Sequence, residues 1–177
     1  MDPRPLPGEP LSLDLLNSRW NNGGSPRDLL DSLDGLAQWL DLNGFGDRAT
    51  ADRATRQALL TTRATLVGLV GGDTGPQAVQ ALNEVLAHGW TSRSLGPDGP
   101  RSRPEADSRA WLPAWCAAED YLRLLAEAPG RIRRCAHPDC VLHFHDTSKN
   151  GTRRWCSMAS CGNRAKASRH YAKVKST

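Results

Sequence analysis

The 177-residue chain has no lysine before position 149, and only one cysteine (Cys116) and one histidine (His88) before position 135. It also has only two phenylalanines and two tyrosines. No apolar run approaches the ~18 to 20 residues a membrane helix needs, so no membrane partner is expected. The opening segment MDPRPLPGEP carries four prolines and no apolar core, unlike a secretory signal, and a cytoplasmic protein is expected. A nucleophile elbow, an H-E-x-x-H pair and a dinucleotide fingerprint are all missing. The Gly71-Gly-Asp-Thr-Gly75 stretch lacks the Lys-Ser/Thr of a phosphate-binding loop. With no catalytic set in view, the expectation is that the protein is not an enzyme.

What the first 130 residues lack is concentrated in the rest. Residues 131–177 hold 11 Lys and Arg against two acids, Asp139 and Asp146, a net +9. Residues 1–130 hold 12 Arg and 17 acids, a net −5. An acidic body with a basic terminal unit points to an anionic partner. A merely solvated basic terminus is the plain alternative, and the cysteines clustered in the same stretch argue against it.

The apolar spacing predicts a mainly helical body with a small β component, an α+β chain. Leu11–Asn17 fits a short strand or a single helical turn, and Asn21-Asn-Gly-Gly-Ser-Pro26 reads as a loop. Helical spacing runs over Arg27–Leu42, Asp47–Val70, Pro76–His88 and Asp107–Glu127, with Pro113 signalling a kink or late start in the last. Leu95–Pro100 reads as the tip of a small hairpin. Pro129-Gly130 divides the chain into units 1–130 and 131–177.

Cys135-Ala-His-Pro-Asp-Cys140 and Cys156-Ser-Met-Ala-Ser-Cys161 are two C-x4-C pairs separated by 15 residues. A tight turn turns both sulfurs of a pair to one side, and two such pairs close a tetrahedron suited to Zn²⁺. Two disulfides are the alternative, disfavoured in a reducing compartment. A three-cysteine, one-histidine site using His137, His143 or His145 is a second alternative. Four protein ligands leave no open position, so one structural Zn²⁺ is expected, coupled to folding of a unit too small to hold a core alone. Val141–Phe144 and Arg153–Trp155 read as strands about a turn, and Ser157 as the N-cap of a helix to about Lys173. The expected architecture is a treble-clef zinc finger.

Basic residues surround this unit. Arg153 and Arg154 precede the third cysteine, and Arg164 follows the fourth. On a helix, Lys166, Arg169 and Lys173 share one face, where they can meet phosphates. Arg131, Arg133 and Arg134 lie nearby. Trp155 and Phe144 are expected to pack beside the metal, and Asp146 and Asn150 to tie the hairpin turn. Gly162 is expected to let the helix start pass close to the metal or the knuckle, and Arg164 either braces the knuckle or reaches phosphate.

The stretch from Phe144 to Lys166, with Arg153-Arg-Trp-Cys-Ser-Met158 and the tetrad Cys161-Gly162-Asn163-Arg164, resembles the CGNR zinc finger family over about 45 residues. Thr147 stands where that family often has arginine. The opening Leu13-Asp14-Leu15-Leu16-Asn17-Ser18 and the helix order are similar to the ABATE domain that usually precedes this finger. The resemblance implies a stress-induced bacterial transcription regulator whose finger contacts DNA and whose N-terminal domain senses a small ligand or mediates association.

Asp14, Asn17 and Arg19 beside a glycine-rich loop are the candidate lining for a small polar ligand, with capping and turn chemistry as the alternative. The small DNA interface of one finger makes a homodimer a reasonable expectation. The competing reading is a protein-interaction adaptor whose finger docks an acidic partner.

Overall fold

The computed structural model describes residues 4–168. Helix α1 (Leu11–Leu16) is one and a half turns buried on every side. Its apolar side chains fill the core, and its polar ones find partners there. The backbone N–H and hydroxyl of Ser12 both donate to Asp120 Oδ2, at 2.9 and 2.7 Å. Asp14 accepts from Arg4 at 2.5 Å and from Asn43 at 3.0 Å. Neither strand nor helix periodicity can show in a segment with no solvent face, which is why the sequence leaves its state open.

Asn21–Pro26, expected as a loop, is the centre of a hairpin. Strand β1 (Arg19–Asn22) pairs antiparallel with β2 (Ser25–Asp28) in the register Asn22↔Ser25. Gly23 and Gly24 sit at φ +58° and +91°, the two left-handed positions of a type I′ turn. The strands are polar and mostly exposed, so no apolar alternation marks them. The first long helix therefore starts later than its apolar spacing predicts. Arg27 and Asp28 are strand, Leu29–Asp31 is a single 3-10 turn capped by Asp28, and α2 covers Leu33–Leu42 with Ser32 accepting from the Gly35 N–H.

Helix α3 spans Arg53–Val70 and also begins later than expected, because Asp52 accepts from the Thr55 N–H and fixes the cap. Helix α4 (Pro76–Leu86) opens on proline. Strands β3 (Gly89–Gly96) and β4 (Gly99–Ala106) form the expected hairpin, longer than its tip alone showed. Helix α5 runs from Leu112 to Glu127, and Pro113 falls in its first turn, so the start moves from Asp107 and no kink is needed. Helices α1, α3, α4 and α5 pack around Leu13, Leu15, Leu59, Leu66, Val85, Ala117 and Leu124. At the base of the β3–β4 hairpin Gly89 meets Trp115 so closely that an added Cβ would lie 2.5 Å from the indole.

After a 3-10 turn, β5 (Ile132–Arg134) pairs with β6 (His143–His145). This corrects the expected pairing of 141–144 with 153–155. Residues 153–155 form no strand and touch the knuckle through one bond, Ala136 N–H to the Arg154 carbonyl at 2.8 Å. A π turn (Met158–Gly162) leads into helix α6, residues 163–168. Ser157 occupies the cap position, but its hydroxyl makes no capping bond. The apolar cluster continues from the helices into Leu142, Phe144 and four of the five cysteines. No described helix is long and apolar enough to cross a membrane.

Candidate metal centre

β5 delivers Cys135, and β6 begins just after Cys140, so the knuckle is the loop of the β5–β6 pair. The Cys135 N–H donates to the Leu142 carbonyl at 2.9 Å, and the Cys140 N–H to that of His137 at 3.0 Å. Of the second pair, Cys156 precedes the π turn and Cys161 lies within it. The wider pitch of that turn brings the Cys161 sulfur back beside that of Cys156, 3.5 Å away.

All four sulfurs lie within 4.8 Å of one another and are buried. Cys140 and Cys156 are separated by 3.8 Å. Sulfurs at ~2.3 Å from a tetrahedral zinc stand about 3.8 Å apart, whereas a disulfide needs about 2.0 Å. All five cysteines are free, which disposes of the disulfide alternative. Among the described residues no histidine joins the cluster. The donor set fits one structural Zn²⁺ held by Cys135, Cys140, Cys156 and Cys161.

Within the cluster the electrostatics favour thiolate at Cys140, while burial raises the Cys135 thiol. Cys140 is brought down to about 5, chiefly by the hydrogen bond from Cys156 and against the effect of burial. Cys156, the partner in that bond, is pushed up. The Cys156 N–H points at Cys135 Sγ, 3.4 Å away, and Arg164 Nη2 donates to Cys161 Sγ at 3.1 Å. Of the two roles open to Arg164, the structure places its guanidinium on the metal ligand. Cys116 stands apart in α5, and burial raises its thiol to about 11.

The turn after β6 is tied by Asp146, which is 1% exposed. It accepts from the Ser148 N–H and hydroxyl and from the Arg153 N–H, at 3.0, 2.6 and 3.0 Å. The Ser148 hydroxyl, first among these, holds its carboxyl below the usual range. Arg131 donates to the Asp146 and Ser148 carbonyls at 3.1 and 2.5 Å. Phe144 is fully buried as expected, and Trp155 packs against the same core from its edge. A Cβ at Gly162 would meet the Met158 thioether and the Trp155 indole, so the glycine permits the close approach of those side chains.

Several basic residues are structural. Arg153 lies over the Phe144 ring at 4.2 Å and donates to the Trp155 and Cys156 carbonyls. Arg154 and Lys166 are exposed, Arg154 with its guanidinium 5.3 Å over the Trp155 ring. Arg169 and Lys173 lie outside the described residues.

The sequence did not reveal how the knuckle unit is fastened to the body. Alternate residues of β6 turn their peptide groups away from β5, and side chains from the N-terminal segment meet them. Asn17 accepts from the His143 N–H and donates to its carbonyl, each at 2.8 Å. Glu9 accepts from the His145 N–H at 2.7 Å, and Asn21 donates to the Asp139 carbonyl at 2.9 Å. Burial raises the Glu9 carboxyl despite that bond. Partners 118 to 136 residues apart leave no local pattern to read. Of the three candidate ligand residues, Asp14 and Asn17 thus have their polar atoms engaged within the protein, and Arg19 is exposed at the rim of a cleft.

Residues 131–174 match the family model of the CGNR zinc finger. Residues 9–128 match the ABATE model, described as "Putative stress-induced transcription regulator". Both descriptions are of regulatory or zinc-finger proteins, not of enzymes. A search of curated proteins found no match.

Proposed function

The chain belongs to the ABATE family and carries a CGNR zinc finger, and from that premise we propose that it is a zinc-dependent bacterial transcription regulator that contacts DNA through residues 131–177. The N-terminal unit, 1–130, senses a small ligand and brings two copies together on one operator. The observation that carries the DNA contact is charge. A unit folded around zinc bears a net +9, and one of its two acids, Asp146, is buried in the turn. That leaves the surface field strongly positive, the requirement for counterion-releasing contact with phosphates. Arg154, Arg164 and Lys166 are the exposed described members of the contact set, with Arg169 and Lys173 as its further members. Arg153 supports it from beneath by holding the turn, and Arg164 also donates to the Cys161 sulfur.

Anisotropy of a labelled random-sequence duplex, titrated with salt, tests this directly. Contacts with Z phosphates give a slope of about −0.9Z. Charge reversal at Lys166, Arg169 and Lys173 together is expected to weaken binding and flatten that slope while zinc content stays at one ion per chain. Unaltered affinity rejects this helix as the contact surface. No binding even at low salt rejects DNA and leaves the adaptor reading with an acidic protein partner.

A further inference from the structure

A cleft of about 700 Å³ opens between α3, the start of β1 and the finger. Its size is that of a small-molecule site. One wall is apolar, built from Leu60, Val67 and Val70 of α3, and Val67 is 51% exposed there. The rim is cationic. Arg19 comes from β1 and Arg134 from β5, and His143 of β6 closes the end. A third guanidinium, Arg63, is already neutralised. It donates to both carboxylate oxygens of Asp28, at 2.7 and 2.6 Å. Arg19 and Arg134 are exposed, and their side chains have no hydrogen bond or ion pair with any described residue. No acidic side chain among the described residues lines the cleft. His143 Nδ1 is buried and also lacks a partner among the described residues.

We propose that this cleft binds a small organic acid, a carboxylate or phosphate monoester on an apolar body, with the anion between Arg19 and Arg134 and the body against Val67. The charge and the wall together select this class. A cation meets two unpaired guanidiniums and no carboxylate. A polyol finds a wall of branched hydrocarbon and few acceptors. An inorganic anion leaves that wall in water. An amphipathic acid satisfies both sides at once, covering apolar surface while its charge is met by two forked donors.

The cleft has a regulatory consequence because its walls come from both units of the chain. Arg134 belongs to the basic finger, so a bound acid cancels part of that unit's positive charge. Occupancy therefore lowers DNA affinity, and by reciprocity DNA lowers affinity for the acid. This arm rests on the DNA-binding reading above. Occupancy of the cleft by an acid does not.

The test is calorimetry of the zinc-loaded full chain with 2-naphthoate, 2-naphthyl phosphate, decanoate, neutral 2-naphthalenemethanol and inorganic phosphate. The two naphthyl acids distinguish carboxylate from phosphate ester. Binding of at least one amphipathic acid, at least tenfold tighter than the neutral alcohol and inorganic phosphate, is expected. Arg19→Ala and Arg134→Ala together should weaken it tenfold or more. Val67→Asp, which places a charged carboxylate in the apolar wall against the body and adds negative charge to the cleft, should abolish it. All three positions are exposed, so fold and zinc content should hold, and far-UV dichroism with metal analysis checks that they do. Equal binding of acid and alcohol, indifference to the double variant, or no binding of any acid overturns the proposal. DNA anisotropy without acid reports on the regulator reading alone. A chain that binds acids but not DNA keeps the cleft and loses the regulator. One that binds DNA but no acid does the reverse.

Discussion

Replacing Asn17 by alanine removes both hydrogen bonds that hold the outer edge of β6 to the helical body. Asn17 is 1% exposed, so water does not take its place without rearrangement. Each bond contributes about 1 kcal/mol net, and each backbone group left buried and unpaired costs about 1–3 kcal/mol. Two bonds at 2.8 Å put the loss at about 2–4 kcal/mol. In a chain of 177 residues that lowers the melting temperature by roughly 2–4 °C per kcal/mol. Asn17→Asp separates the two bonds. A carboxylate still accepts from the His143 N–H but turns an oxygen toward the His143 carbonyl, so it should be no better than alanine despite near-identical shape. Urea unfolding of the zinc-loaded protein gives the free energies, and hydrogen exchange at the His143 amide shows whether the β6 edge has opened. A loss under about 0.5 kcal/mol, or unchanged protection of that amide, refutes the clamp.

Three further outcomes follow from the same geometry. Burial, with Arg134 beside it, lowers the His143 imidazole from 6.5 to about 4. The unfolded chain thus takes up a proton the folded one refuses. The stability His143 contributes is complete above pH 6.5 and is lost as pH falls toward 4, at up to about 1.4 kcal/mol per unit. Urea unfolding of wild type and His143→Gln between about pH 7 and pH 5 should give profiles that converge on acidification, and parallel profiles reject the burial argument. Arg164→Ala removes the N–H···S bond to Cys161 and should weaken zinc affinity about tenfold or more in competition with a chromogenic chelator, with Arg164→Lys restoring only part of it. Equal affinities in all three proteins refute that role. Gly89→Ala drives a methyl into Trp115 and the Glu105 carbonyl, 2.5 and 2.7 Å away, and should cost about 1–3 kcal/mol in thermal unfolding. A neutral result means the hairpin base is looser than it looks.

The metal centre was legible because its signal is local. Two short cysteine pairs carry spacing, chemistry and turn residues within 27 positions, and tetrahedral sulfur chemistry admits few other arrangements. The long amphipathic helices were legible for a similar reason, although their starts were not. Side-chain caps at Ser32 and Asp52 set those starts more sharply than apolar spacing does. The β1–β2 hairpin was missed because its strands are polar and exposed, leaving only Gly23-Gly24 to mark it. The pairing of β6 with β5 was missed because the knuckle itself serves as the connecting loop. The fastening by Glu9, Asn17 and Asn21 joins the two ends of the chain, and pairing at that range follows from the fold, not from any window of sequence.

Sealing of β6 by side chains bears on whether the knuckle can be moved elsewhere. A fragment beginning at residue 131 would keep its four sulfurs, but it would leave the His143 and His145 peptide groups bare and strip the helices from Leu142 and Phe144. Such a raw strand margin invites neighbouring copies to stack upon it. Grafted onto another scaffold, the piece would tend to precipitate unless the host supplied an amide and a carboxylate where Asn17 and Glu9 now stand.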